Sequence, residues 1–256
     1  MIEVLIVVVI ILLVARFSVF QKTKTGPLGL SRLKPEHKAF LAKHFRFYGG
    51  LPKKSKQLFE RRVAYFMQAK TFVPRQMIDV SWEMKVLISA SAIQLTFGFP
   101  KIHLSYFKYI LVYPDSFFSQ ATQTHNQGEV NPREKAIVIG WRYFVEGYLK
   151  ADGRNLGLHE MAHALRLENR IMNREYNFLD QTALREWEIR ATNTMLEIEK
   201  GIESFFREYG ATNREEFFAV AVENFFERPD AFSEKHPLTY EVMCRLLRQN
   251  PKLLNA

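Results

Sequence analysis

Cysteine is almost absent from the chain, since Cys244 is the only one among 256 residues. A single thiol excludes an intramolecular disulfide framework and any metal cluster built from several cysteines. It also suits a protein that folds in a reducing compartment. We interpret Cys244 as a small core residue rather than a nucleophile.

The chain also lacks an internal repeat, a low-complexity tract and any recognisable nucleic-acid-binding motif. Apolar residues make up 47% of it, which indicates a packed globular protein. The net charge is nevertheless +9, and much of the basic excess lies between Arg16 and Lys56. A basic segment beside an apolar one fits an anionic membrane surface, so we expect no nucleic-acid partner. A merely solvated basic surface is the alternative.

One long apolar run is present, Val4–Ala15 (VLIVVVIILLVA). A spanning helix needs about 20 residues, and the stretch from Met1 to Phe20 reaches that length if Arg16 snorkels to the headgroups. A cleaved signal peptide would have a basic start and a small-residue cleavage site. This chain has Glu3 and no such site. The pattern therefore predicts an uncleaved membrane anchor.

We divide the chain into the anchor at residues 1–20, a linker at 21–34 and one globular domain at 35–256. The positive charges lie downstream of the anchor, so the domain is expected to face the cytoplasm. The sequence thus predicts a single-pass protein of the cytoplasmic membrane.

Residues 35–256 read as one helix-rich α+β domain with a small sheet. The predicted helices, besides the one at the central motif described below, are Pro35–Phe47, Lys54–Lys70, Val80–Phe97, Asp180–Tyr209 (broken near Gly201), Asn213–Arg228, Asp230–Glu234 and Leu238–Gln249. Two strands are predicted, Tyr109–Tyr113 and Ala136–Trp141, with a polar loop at 120–133 between them. His125 in that loop is a weak site candidate.

The most informative stretch is Leu156–Leu165, which contains His159-Glu160-x-x-His163 among residues that favour a helix. Residues four apart share a helix face, so both imidazoles can bind one Zn²⁺ at about 2.0–2.1 Å. Glu160 lies beside that face, where it can act as general base toward a water molecule. Two core histidines without a metal are the competing interpretation.

A catalytic zinc usually has three protein ligands, so a third is needed. Glu168 lies five positions beyond His163 and would turn away from the metal on a continued helix. The predicted helix at 213–228 offers carboxylates beside a very apolar run, where burial is costly unless they bind or pair with a cation. From the residues alone, Glu216 and Glu223 are nearly equal candidates. A capping-box glutamate and a solvated stripe are the alternatives.

Several segments together have a familiar pattern: Leu158–His163 (LHEMAH), Tyr209–Val220 (YGATNREEFFAV) and Glu223–Phe226 (ENFF). They resemble the Mlc titration factor A family of zinc-dependent peptidases and the related catalytic domain of anthrax lethal factor. The likeness also includes His125–Gln127 and the strand AIVIGW. It extends from about residue 35 to the C-terminus and excludes the anchor.

The resemblance implies a gluzincin-type zinc peptidase with one Zn²⁺ per chain, bound by His159, His163 and Glu216. It favours Glu216 over Glu223 as the third ligand. Glu160 would be the general base, and Tyr209 would face the substrate carbonyl.

The chain departs from the family pattern at two places. Leu165 and Arg166 follow the second histidine where relatives often have an aspartate, and Val220 stands where lethal factor has an acidic residue. The carboxylate that orients a histidine ligand must therefore come from elsewhere, and Glu223 is the candidate.

The predicted function is hydrolysis of peptide bonds in a peptide or protein substrate, with Ala136–Trp141 as an edge strand for an extended substrate. The alternative is a membrane-tethered binding protein that sequesters a transcriptional regulator with little or no catalysis. Glu160 favours the enzyme, because sequestration needs no general base beside two metal ligands. A structural zinc site would require four protein ligands.

Overall fold

The structure is a computed structural model that describes residues 32–202 and 205–254. The predicted anchor and nearly all of the predicted linker lie outside these residues. Within the described ranges, no helix is both long enough and apolar enough to cross a membrane. The predicted division into anchor, linker and domain stays a prediction.

Helices make up most of the described chain, as the sequence predicts. In chain order the α-helices are α1 Pro35–His44, α2 Arg46–Gly50, α3 Lys53–Ala69, α4 Trp82–Thr96, α5 Trp141–Leu149, α6 Leu156–Arg170, α7 Gln181–Glu199, α8 Arg214–Glu227, α9 Pro229–Lys235 and α10 Pro237–Leu247. The described ranges also contain the 3-10 helices Glu208–Ala211 and Pro251–Leu254.

The strands form one mixed sheet and one hairpin. They are β1 Thr71–Pro74, β2 Tyr109–Tyr113, β3 Phe117–Ser119, β4 Thr124–Asn126, β5 Gly128–Asn131 and β6 Ala136–Gly140. The sheet has the order β1-β2-β6-β5, in which the first three strands are parallel and β5 is antiparallel to β6. β3 and β4 pair as a separate antiparallel hairpin.

Two predictions about this region are wrong. The stretch predicted as a loop at 120–133 contains β4 and β5, and β6 is an interior strand rather than the edge. The sequence of β5 is Gly-Glu-Val-Asn, and all four residues are half-buried. It therefore lacks the alternation of buried and exposed side chains by which a strand is recognised. β5 forms the edge of the sheet next to β6.

The sheet buries both of its faces, which explains the continuous apolar runs of β2 and β6. Ile110 and Val112 of β2 face the main core, together with Ile137 of β6. On the opposite face, Leu111 and Val138 form a small cluster that Phe117 and its hairpin cover. Because both faces of the sheet are packed in this way, the sheet is rigid.

The helix that carries the two histidines, α6, lies at the centre of the molecule. It packs against β5 and β6 on one side and against α4, α5 and α8 on the others. Gly157 makes this close approach possible, since a Cβ atom there would lie 2.6 Å from the ring of Phe144 and 2.8 Å from Oγ of Ser91. Contacts with the sheet and with α4, α5 and α8 together fix the position of α6.

Candidate active site

The first two functional side chains come from α6, whose start is fixed by Asn155. The Asn155 side chain accepts a hydrogen bond from the backbone N–H of Leu158 at 3.0 Å and so caps the helix. One turn further, His159 and His163 lie on the same face with their rings edge to face, 4.7 Å between centroids. Their Nε2 atoms are 3.1 Å apart.

The third side chain comes from α8, which Asn213 caps through the N–H groups of Glu215 and Glu216. Oε2 of Glu216 lies 3.0 Å from Nε2 of His159 and 3.5 Å from Nε2 of His163. This oxygen is buried, and no hydrogen bond of good geometry reaches it. Three atoms that bear lone pairs therefore converge on one point.

These three atoms fit a zinc ion. Bonds of about 2.0–2.1 Å in a tetrahedral site separate ligand atoms by roughly 3.3 Å, close to the spacings seen here. Two imidazole nitrogens and one carboxylate oxygen are also a donor set that Zn²⁺ takes in catalytic sites. Within the described ranges, no fourth His, Cys, Asp or Glu joins the group of His159, His163 and Glu216. One coordination position would remain for water or substrate.

Glu223, the other sequence candidate, contacts His159 instead of joining the group of His159, His163 and Glu216, which we call the ligand group. Its Oε1 lies 2.5 Å from Nδ1 of His159, the nitrogen that faces away from the ligand group. Arg207 donates a hydrogen bond to the same oxygen at 2.8 Å, and its Nη1 lies 3.5 Å from the carbonyl oxygen of Gly153. A carboxylate in this position fixes the tautomer and the ring orientation of a histidine ligand.

No motif in the sequence points to Arg207. The helix predicted at Asp180–Tyr209 includes this residue, but the observed helix ends at Glu199, and Arg207 lies on a segment without regular structure two residues before Tyr209. Only the folded chain brings it to Glu223.

The charges around the ligand group favour a cation. Burial lowers the pKa of His159, but the neighbouring carboxylates of Glu216 and Glu223 outweigh burial and raise that pKa to about 10. Burial raises the pKa of Glu216, yet His159 and His163 hold it below its usual value. The carboxyl group of Glu216 is therefore ionised at neutral pH.

Glu160 lies beside the ligand group and is only 5% exposed. Burial raises its pKa above the usual value, although the two histidines oppose this shift. Its carboxylate lies against the backbone of β5, since a Cβ atom on Gly128 would be 2.4 Å from Oε1 of Glu160. A carboxyl group with a raised pKa at this position suits a general base.

Tyr209 lies on the short 3-10 helix Glu208–Ala211 and is half exposed, with its ring centroid 6.1 Å from that of His159. Partial burial and the negative charge of Glu216 raise the pKa of Tyr209 to about 12. The phenol therefore stays protonated at neutral pH and can donate a hydrogen bond into the site.

An open cleft of about 2210 Å³ passes over these residues. Its walls include β4, β5, α5 and the first residues of α8. His125 lines the wall but is exposed and does not join the ligand group. Glu168 points away, as the sequence predicts, and accepts hydrogen bonds from the N–H of Tyr106.

Comparison with known proteins agrees with this geometry. The family model described as glucose-regulated metallo-peptidase M90 matches residues 20–248. An uncharacterized protein of Synechocystis, slr2042, is 27% identical over 240 residues, which cover 88% of this chain and 87% of that protein. Mlc titration factor A of Cronobacter sakazakii is 29% identical over 228 residues (80% and 83% of the two chains). That of Escherichia fergusonii is 29% identical over 209 residues (73% and 77%). The chain therefore belongs to the glucose-regulated metallo-peptidase M90 family.

Proposed function

We propose that this chain is a zinc-dependent peptidase that hydrolyses peptide bonds with Glu160 as general base. The observation that carries the proposal is the convergence of His159, His163 and Glu216 beside a buried carboxyl group in an open cleft. Membership in a metallopeptidase family supports it.

His159, His163 and Glu216 would hold one Zn²⁺. When bound, the ion would supply Lewis-acid polarisation of the scissile carbonyl group and would acidify a water molecule. Glu223 and Arg207 keep the His159 ring in the orientation that ligation needs.

Glu160 and Tyr209 carry out the remaining steps. Glu160 accepts a proton from the attacking water and delivers it to the leaving amine, a task that its raised pKa favours. Tyr209 donates a hydrogen bond to the oxyanion that develops on the scissile carbonyl, and this bond is stronger in the transition state than in the ground state.

The free edge of β5 offers a place for an extended substrate. Among the described residues, β5 pairs with β6 on one side and with no other strand of its sheet, and Gly128 on β5 adjoins Glu160. A peptide added to this edge would form main-chain hydrogen bonds and pass beside the general base. β5 thus takes the role that the sequence suggested for Ala136–Trp141.

Zinc content and peptide cleavage of the full-length chain, wild type beside Glu160→Gln, test this proposal. We expect both proteins to bind about one zinc, and cleavage of a peptide panel to fall by about 10²–10⁴-fold in the variant. Zinc binding without cleavage by the wild type would refute the peptidase proposal.

Sequestration of a protein regulator is a second candidate, because two of the relatives are named as titration factors of Mlc. A binding role does not require a general base. Glu160→Gln should therefore capture such a regulator from a cell extract as well as the wild type does. Failure of the wild type to capture any regulator would contradict the sequestering role.

We further propose that residues 1–20 anchor the chain in the cytoplasmic membrane with the remainder in the cytoplasm. The apolar run and the downstream basic residues support this orientation. Protease added outside intact spheroplasts should leave the domain uncut, and degradation would reverse the orientation.

A further inference from the structure

Beyond the ligand group, the cleft continues along α6 toward a set of arginines. Leu167 and Arg170 of α6 line it after His163, and Arg214 lines it from the first turn of α8. The side chains of Arg170 and Arg214 are 52% and 58% exposed. Two guanidinium groups thus reach solvent at one end of the cleft.

A second cavity of about 440 Å³ adjoins the same residues. Its charged lining consists of four arginines and two glutamates, a surplus of two positive charges: Arg166, Arg170, Arg185, Arg214, Glu188 and Glu215. The start of α8 lies here too and adds the positive end of its helix dipole.

Arg166, the most buried of these arginines, forms ion pairs with both glutamates. Arg166 is paired with Glu188 at 2.7 Å and with Glu215 at 3.3 Å, and its side chain is only 7% exposed. Arg170 also pairs with Glu215, but Arg214 approaches Glu188 only to 3.6 Å, longer than a hydrogen bond. The exposed arginines therefore keep N–H donors and positive charge that this cluster does not neutralise.

The separation from the ligand group suits a substrate side chain. Arg170 lies seven residues after His163 on α6, which corresponds to about 10 Å along the helix axis. An extended peptide advances about 3.3–3.4 Å per residue, so about three residues cover that distance, or two where the arginine side chain points back toward the N-terminus of the helix.

We infer that Arg170 and Arg214 form a subsite for a carboxylate of the substrate, two to three residues from the scissile bond. The inference rests on the proposed peptidase function and adds a substrate class to it, peptides with an acidic residue near the cleaved bond. Guanidinium groups bind carboxylates through paired, charge-assisted hydrogen bonds.

Cleavage of a random peptide library by the full-length, zinc-loaded protein tests the subsite. We expect Asp and Glu to be enriched two or three positions from the cleaved bond. The enrichment should fall by about 10-fold in Arg170→Gln/Arg214→Gln, which corresponds to about 1.4 kcal/mol. The matched control is Arg245→Gln, since Arg245 pairs with Glu186 and lines neither cavity. Amidated and free-acid libraries distinguish a side-chain carboxylate from a C-terminal one.

Arg214→Glu guards against loss of folding as an explanation. An acidic residue in the first turn of α8 suits the helix dipole, so the variant should fold and should shift the preference from acidic to basic residues. Equal enrichment in the wild type and the double variant, or no acidic preference in the wild type, would overturn the subsite.

Binding separates the subsite from the peptidase proposal. Fluorescent alanine-based peptides that differ only by Glu or Gln are titrated into zinc-loaded Glu160→Gln, which needs no turnover. A tighter Kd for the Glu peptide that is lost in Arg170→Gln/Arg214→Gln would support the subsite even if the wild type cleaves nothing. Equal Kd values for the two peptides would overturn it.

Discussion

The two ring nitrogens of His159 face different partners, and this division explains the roles of two glutamates. Nε2 faces Glu216 in the ligand group, whereas Nδ1 meets Glu223 at 2.5 Å. Arg207 in turn holds Glu223. These contacts hold the His159 ring in one orientation.

Glu223→Gln tests this orienting contact. The amide cannot supply the negative charge that supports the imidazole, so zinc affinity should fall by about 10–100-fold. Competition with a chromogenic chelator measures the affinity, and Glu241→Gln, an exposed change on α10, is the control. Unchanged affinity would remove Glu223 from the site.

The position of the Glu160 carboxyl group depends on the fact that residue 128 is a glycine and has no side chain. A methyl group at that position would lie 2.4 Å from Oε1 of Glu160, so Gly128→Ala must displace the carboxyl group or the strand. We expect kcat to fall by about 10²-fold with zinc content unchanged. Gly49→Ala is a matched control, because no atom lies within 4 Å of its added Cβ. Equal kcat values would place the reacting geometry elsewhere.

Some residues of the candidate site could be predicted from the sequence more easily than others. His159, Glu160 and His163 are close in sequence and share one helix, so spacing alone brings them together. Glu216 and Glu223 are seven residues apart on one face of α8. The sequence alone does not show which of these two carboxylates would bind the metal. Arg207 has no local pattern at all.

At the scale of elements, the start of α6 is where several parts of the fold meet. Asn155 caps α6, and its Nδ2 donates hydrogen bonds to the carbonyl oxygen of Gly147 and to Oε1 of Glu227, both at 3.0 Å. Glu227 also accepts from the N–H of Gly153 at 2.9 Å. One side chain thus joins α5, α6 and α8.

Asn155→Ala should destabilise the fold more than the loss of an ordinary cap. A cap alone contributes about 1 kcal/mol, and the buried groups left without a partner add about 1–3 kcal/mol. The expected decrease in Tm is roughly 4–12 °C by calorimetry. Asn213→Ala, which removes only the cap of α8, should lower Tm by less than half as much. Equal shifts would contradict the joining role.

Helices were easier to predict than strands for a physical reason. The predicted helix Lys54–Lys70 corresponds to α3 at Lys53–Ala69, because its apolar residues repeat at the helical period. β1 (TFVP) and β5 (GEVN) are four residues each and have no such repeat. Their strand form depends on pairing with β2 and β6, which local sequence does not encode.

At the scale of the whole molecule, partly buried His103 makes stability depend on pH. Burial, and then the charges of Arg62 and Lys70, lower the pKa of His103 to about 4. Its ring packs against Tyr65 at 4.9 Å, and its Nδ1 has no hydrogen-bond partner. Between about pH 4 and pH 6.5, this imidazole is therefore neutral in the folded chain and protonated in the unfolded chain.

His103→Phe should flatten the loss of stability in acid. Between the unfolded pKa of about 6.5 and the folded pKa of about 4, the unfolded state binds one more proton, so stability falls as pH falls through this window. In metal-free protein, urea unfolding at pH 7 and pH 4.5 should differ by roughly 2 kcal/mol less in the variant. An identical difference in both proteins would mean that His103 is not the titrating group.

We propose above all that His159, His163 and Glu216 hold the catalytic metal. Anomalous diffraction at the zinc absorption edge, from crystals of the full-length chain grown with zinc, tests this most directly. We expect one strong peak about 2.0–2.2 Å from Nε2 of both histidines and from a carboxylate oxygen of Glu216. A peak bound by other residues, or no peak at this group, would contradict it.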